Sequence, residues 1–175
     1  MAKKTAGKRF EDATFFVVNG LKDVGIEGIK MGFEDETMQS VARQLDNLRD
    51  KTAENHWPNI AILTTDFLKD IGVKAAEKGL PNTTTNCIRG LKYIGMVGEG
   101  WDMDCAIVSG LWCLGAAVQK YLPQQVDSVI KHLREMEAEA RLDRSMLVEW
   151  AEDGISVYPH LKSSFEEFKK RYNER

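Results

Sequence analysis

Cysteine and histidine are scarce in this sequence. Its three cysteines show no Cys-x-x-Cys spacing, and its three histidines lie in unrelated segments. An odd number of scattered cysteines argues against a disulfide framework and against a thiolate zinc site. A nucleophilic enzyme would need a Ser or Cys beside a base, and the sequence has no Gly-x-Ser-x-Gly elbow, phosphate loop or dinucleotide fingerprint. We therefore expect neither an enzyme nor a bound metal or cofactor.

The sequence also lacks a long apolar run and a basic body. Its longest uncharged stretch, Cys105 to Gln119, has 15 residues, whereas a bilayer-spanning helix needs about 20. We expect no transmembrane segment, and no secretion signal, because Phe10-Glu-Asp interrupts the basic start. The first nine residues carry a charge of +4, so the net charge of −3 leaves −7 on the rest of the chain. Nucleic-acid binding is therefore not expected.

Proline is rare and falls between segments with helical periodicity. The four prolines are Pro58, Pro81, Pro123 and Pro159. Proline is tolerated at the start of a helix, where its missing N–H would have no partner. With 175 residues, of which 43% are apolar, the chain has the size and composition of one globular domain. We predict a flexible basic tail over residues 1–8 and a single all-helical domain over residues 9–175.

Apolar residues recur at helical spacing along the whole chain, and we predict seven or eight helices and no strand. In the first helix, intervals of 4, 3, 4 and 3 trace one face, and three glycines follow. That face consists of Phe10, Thr14, Val17, Leu21 and Val24, and the predicted stop consists of Gly25, Gly28 and Gly32. The segment Cys105–Val118 is apolar on every side, so we expect the other helices to enclose it. The predicted fold is an all-α bundle packed around this central helix.

Three segments resemble the homology motifs of the Bcl-two family of apoptosis regulators. The stretch from Val41 to Asp50, with Leu45 and Leu48, is similar to the family's third motif. Gly100-Trp101 and the following residues to Gly110 resemble the first motif, and Leu147 to Gly154 resembles the second. The order of these elements matches over most of the chain. One departure is that the family's arginine in the first motif would fall at Met103.

The resemblance implies a Bcl-two-like bundle with an apolar surface groove that accepts an amphipathic helix of a partner protein. The groove candidates are Leu63, Phe67, Leu91, Ile94, Trp101 and Met103. Arg89 and Lys92 are candidates to replace the missing arginine. The death-motif-like helix carries Val41, Leu45, Leu48 and Asp50. The implied function is regulation of cell death, with hetero- or homodimers, in the cytoplasm or peripherally at the outer mitochondrial membrane.

Two other functions fit the same sequence. The first is a viral, phage or bacterial all-helical interaction protein that is unrelated to cell death. The second is an enzyme or carrier that holds a small ligand around the glycine-rich stretch from Gly90 to Gly115. A death-promoting and a death-blocking role fit the residues equally well.

Overall fold

The computed structural model describes residues 2–54, 57–94, 101–139 and 144–174, and these residues form eight α-helices and no strand. The helices are α1 (Ala2–Lys30), α2 (Asp35–Glu54), α3 (Pro58–Glu77), α4 (Pro81–Ile94), α5 (Trp101–Tyr121), α6 (Val126–Glu139), α7 (Arg144–Ser156) and α8 (Lys162–Glu174). One-turn 3₁₀ helices at Pro123–Gln125 and Pro159–Leu161 precede α6 and α8. The all-helical prediction is confirmed, and each of the four prolines begins a helix or a 3₁₀ turn.

Helix α5 lies at the centre of the fold. Every residue from 107 to 118 is buried except the half-buried Ser109. Helices α3, α4, α6, α7 and α8 all pack against it, which confirms that the apolar segment is enclosed. The Trp112 ring packs edge-on against three rings of α8, with centroid distances of 5.7 Å to Phe165, 5.4 Å to Phe168 and 5.0 Å to Tyr172. This aromatic cluster fixes α8 on the central helix.

The N-terminus of α4 is capped by a side chain from the start of α2. The Asp35 carboxylate accepts hydrogen bonds of 2.8 Å from the backbone N–H groups of Asn82 and Thr83 and one of 2.6 Å from the Thr83 hydroxyl. These N–H groups have no partner within their own helix. The cap therefore joins two helices that are distant in the sequence.

Helix α1 differs from its prediction at both ends. It begins at Ala2, so residues 2–8 continue the helix instead of forming a separate tail. Alanine and lysine dominate this stretch, and both favour helices. Gly25 and Gly28 lie inside the helix rather than ending it. The chain turns at Gly32, whose φ of 81° is readily adopted by glycine.

Candidate functional site

Helix α1 packs against the body of the protein through its smallest residues. Gly25 and Gly28 are buried, together with Val18 and Ile29. A Cβ added at Gly25 would lie 2.6 Å from Ile71 Cδ1 of α3, and one added at Gly28 would lie 2.8 Å from Met38 Cε of α2. The glycines therefore allow the backbone of α1 to approach α2 and α3 closely.

A polar network fixes the rotation of α1 about its axis. Lys22 Nζ lies 3.4 Å from Asp70 Oδ2 and 4.3 Å from the centroid of the Phe67 ring. The Tyr158 hydroxyl donates a 2.6 Å hydrogen bond to Asp70 Oδ1. Burial and the negative charge of Asp70 raise the pKa of Tyr158, so its hydroxyl stays a donor. The Lys22 face of α1 is thus held against α3.

The opposite side of α1 exposes large apolar side chains. Phe10, Val17, Val24 and Met31 recur every seven residues and are 68%, 51%, 54% and 72% exposed. Phe16 flanks this stripe and is 74% exposed. Among the described residues, seven of the eight exposed large hydrophobic side chains belong to α1 or the turn after it; these are Phe10, Phe15, Phe16, Val17, Val24, Met31 and Phe33, and the eighth is Val157. We call the stripe, with Phe16 and the small residues described next, the α1 face.

Small and acidic residues complete the α1 face. Ala13 and Gly20 are exposed and lie between the larger side chains, and a Cβ added at Gly20 would have no neighbour within 4 Å. Asp23 and Glu27 are exposed beside the C-terminal half of the stripe. Glu27 accepts a 2.6 Å bond from Lys30, one turn along the helix. The α1 face is therefore apolar at its middle and carries both charges toward its C-terminal end, where Lys22 and Lys30 balance Asp23 and Glu27.

Of the six predicted groove residues, the structure describes the side chains of three, Leu63, Phe67 and Leu91. Leu91 is 0% and Phe67 5% exposed, so both are core side chains, and Leu63 is half-buried. The reason is that α3, α4 and α5 pack directly against one another. Arg89 is exposed. The side chains of Lys92, Ile94, Trp101 and Met103 lie outside those that the structure describes.

The death-motif-like stripe of α2 faces the interior. Leu45 is fully buried, while Val41 and Leu48 are half-buried. The side chain of Asp50 is outside the described set. Helix α2 packs against α1, α3 and α4, so in this structure the motif contributes to the protein's own core.

The three described glycines of the stretch from Gly90 to Gly115 serve helix packing. A Cβ at Gly90 would meet Leu68 Cδ1 at 3.0 Å, and one at Gly110 would meet Leu91 Cδ1 at 3.1 Å. A Cβ at Gly115 would overlap the ring of Phe168. These three positions therefore mark close helix contacts rather than room for a ligand.

Catalytic chemistry has little support in the described part of the chain. No group of three or more His, Cys, Asp or Glu residues there could hold a metal ion. Cys87 and Cys113 are buried, and burial raises the pKa of both thiols, to about 12 for Cys113. An apolar depression of about 330 Å³ lies between α7 and α8, over Ile155 and Phe165. Its rim carries Glu152, which pairs with Lys169 at 2.9 Å.

Comparison with known proteins identifies no relative of this chain. The chain matches no protein-family model, and neither the search of curated proteins nor that of solved structures gives a match. Among the described residues, no helix is long and apolar enough to cross a membrane. Within the part of the chain that the structure describes, the α1 face holds most of the exposed large apolar side chains.

The sequence contained a signal for the α1 face that the prediction did not use. Gly25 and Gly28 lie three residues apart, so both can face the same neighbouring helices. Buried glycines at this spacing allow close helix approach. Val17 lies eight residues before Gly25, about 80° away round the helix at 3.6 residues per turn, so part of the apolar stripe can stay exposed.

Proposed function

We propose that this protein acts by binding an amphipathic α-helix of another polypeptide along the α1 face. The observation that carries the proposal is the concentration of exposed large apolar side chains on α1. Single exposed hydrophobic residues are normal on protein surfaces, whereas contiguous apolar patches mark interaction sites. The proposal is a form of the interaction-protein function predicted from the sequence.

The spacing on the α1 face indicates what kind of partner it fits. Apolar residues at positions 10, 17, 24 and 31 follow the seven-residue repeat with which two helices supercoil around each other. Because the stripe spans residues 10–31, at about 1.5 Å of rise per residue it offers a track of about 32 Å. A globular partner would need no such repeat, so the spacing favours a helix.

Peptide binding tests this proposal. The probe is a labelled synthetic amphipathic helix with apolar residues at the seven-residue spacing, compared with a scrambled peptide of equal composition. Wild-type protein is expected to bind the first and not the second. Val17→Asp places a charge in the middle of the face and should weaken binding about tenfold or more, because a buried unpaired charge is costly. Val157→Asp alters another exposed valine, 64% exposed, and should bind like wild type. Equal binding by all three proteins, or none by any, would contradict the proposal.

A second proposal follows from the resemblance to apoptosis regulators. The enclosed central helix α5 favours it, because such a helix is what the resemblance implies for the fold. In this proposal a partner's death-motif helix binds at the rim of α4, where Arg89 is exposed, and the protein acts in the cytoplasm or at the outer mitochondrial membrane. The groove would have to open, since Leu91 and Phe67 are core residues here.

Titration with a panel of death-motif peptides separates the two proposals. The apoptosis proposal expects binding that Arg89→Ala weakens by about 1 to 3 kcal/mol, the effect of losing a charge-assisted hydrogen bond, and that Val17→Asp leaves unchanged. The α1-face proposal expects the opposite response to the two variants. Absence of binding by every death-motif peptide would refute the apoptosis proposal.

A further inference from the structure

We infer that the helix that binds the α1 face is α1 of a second copy of this chain, packed antiparallel. This inference rests on the proposed function and names its partner. The α1 face combines large residues with small ones at alternating positions, and the chain carries +4 over its first nine residues but no net charge over residues 16–30. An antiparallel second copy complements both features.

The charge pattern selects the antiparallel orientation. The first nine residues carry +4, while Asp23 and Glu27 lie exposed near the other end of α1. A parallel pair would place the two basic segments side by side and Glu27 beside its own copy, and like charges at such distances repel. An antiparallel pair places each basic segment beside the C-terminal part of the other helix, where Asp23 and Glu27 balance Lys22 and Lys30, so the repulsion between the two basic segments is removed.

The sizes of the side chains select a register. In an antiparallel two-helix coil, the residues at one core position of the repeat pack against those at the other. Phe10 and Val17 occupy the first position, while Ala13 and Gly20 occupy the second. An antiparallel pair that aligns Phe10 with Gly20 of the second copy also aligns Val17 with its Ala13. Each large side chain then faces a small one, which is the arrangement that lets core layers interdigitate.

The apolar area agrees with a stable pair. From their exposed fractions, and with roughly 150 to 250 Å² for each large side chain, Phe10, Phe16, Val17 and Val24 expose about 500 Å² per chain. Met31 follows the end of α1 and lies beyond the partner helix in this register. A specific interface usually buries about 800 Å² on each partner, and the small and polar residues that flank the stripe add to the apolar area.

A lipid surface fits the α1 face less well. Helices that lie on membranes carry lysine and arginine along their polar side, which attracts anionic headgroups. Asp23 and Glu27 instead border the C-terminal half of the stripe. Pairing with a second copy, whose basic start can lie beside these acidic residues, is therefore favoured over binding to an anionic membrane.

Disulfide mapping on the full-length chain tests both the partner and its orientation. Phe10→Cys and Gly20→Cys are prepared singly in a Cys105→Ser background, which removes the one native thiol that is not fully buried. The two proteins are mixed and oxidised with glutathione disulfide, and the cross-linked products are identified by mass spectrometry. Both altered positions are exposed, and a Cβ at Gly20 meets no neighbour, so the fold should be unaffected.

The expected product is the mixed disulfide between positions 10 and 20. In a parallel pair only the like disulfides would form, because ten residues of helix separate the two positions by about 15 Å. Glu27→Lys should weaken an antiparallel pair, whereas a parallel pair would still hold two like charges side by side at position 27 and should change little. Like disulfides alone, or no cross-link beyond that of the Cys105→Ser control, would overturn the inference.

Two further measurements separate the failure of this inference from failure of the proposed function. If the α1 face binds the heptad peptide but forms no cross-link, the second copy is the wrong partner and the proposed function stands. If neither occurs, both are wrong. Co-sedimentation with phosphatidylserine–phosphatidylcholine vesicles that is lost in Val17→Asp, without cross-linking, would assign the face to a lipid surface and overturn the inference.

Discussion

Replacing Gly115 with alanine tests the packing of the central helix most sharply. Gly115 lies on α5 where the ring of Phe168 approaches the helix backbone, and an added Cβ would overlap ring carbons Cε1 and Cζ and lie 2.7 Å from Cδ1. Phe168 is fully buried and its ring packs against Trp112 at 5.4 Å between centroids. The ring therefore has no free space into which it can move.

The expected cost combines two opposing effects. Overpacking a well-packed core costs about 1 to 3 kcal/mol, and the overlap at Gly115 places this variant at the upper end. Alanine is favoured over glycine within a helix by up to about 1 kcal/mol. The net loss in the free energy of unfolding should be about 2 kcal/mol. For a chain of 175 residues, that corresponds to a fall in Tm of about 4 to 8 °C.

Denaturant unfolding followed by circular dichroism measures this loss, with two controls. Gly20→Ala is the same substitution at a helical position where the Cβ meets nothing, and it should leave stability equal or raise it by up to about 1 kcal/mol. All proteins are compared at one concentration at which they are monomeric, because Gly20 lies on the α1 face and association affects apparent stability. Phe168→Leu makes room, so the double variant Gly115→Ala, Phe168→Leu should be more stable than the sum of the two single effects predicts. A Gly115→Ala protein as stable as Gly20→Ala would show that α8 does not pack there.

Three other variants test the remaining contacts. Asp35→Ala removes the cap of α4 and should lower the free energy of unfolding by about 1 to 2 kcal/mol in a denaturant melt; an unchanged midpoint would contradict the cap. In the native protein at mildly alkaline pH, a thiol reagent should label Cys105 fastest, because burial raises the pKa of Cys87 and Cys113. A Cys105→Ser protein that still shows this fast labelling phase would refute the expectation. Burial raises the pKa of Glu77, but the hydrogen bonds and positive charges of Lys74 and His160 outweigh burial and hold the pKa of Glu77 below its ordinary value of 4.5. The stability Glu77 provides is therefore present above that pH and lost as the pH falls through the lowered pKa. The free energy of unfolding of Glu77→Gln should be lower than that of wild type by about 1 kcal/mol at neutral pH and equal to it in acid. An equal loss at both pH values would argue against the ion pairs.

The helices and the central position of α5 were predictable because they depend on local information. Proline marks helix starts through its own covalent structure, and a segment without charge on any side, such as Cys105–Val118, can only be enclosed. These features require no knowledge of which helix lies beside which. The all-helical class followed from them.

The orientation of α1 was not predictable from periodicity. The spacing of Phe10, Val17 and Val24 identifies an apolar stripe, but it does not identify the neighbour that the stripe contacts. In the structure the glycine side of α1 packs inward, because Gly25 and Gly28 allow closer contact with α2 and α3. The groove prediction differed for a similar reason: the same apolar spacing fits a groove wall and a core, and tertiary packing places Leu91 in the core.

Sedimentation equilibrium tests the central claim, that the α1 face binds another helix and that this helix is its own copy. Wild type and the control Val157→Asp are compared with Val17→Asp across micromolar concentrations, with circular dichroism to verify equal helix content. Wild type and Val157→Asp should approach twice the chain mass of 19.8 kDa as concentration rises, while Val17→Asp should remain at the mass of one chain. A wild-type protein that stays at 19.8 kDa throughout, or a Val17→Asp protein that associates as wild type does, would contradict the claim.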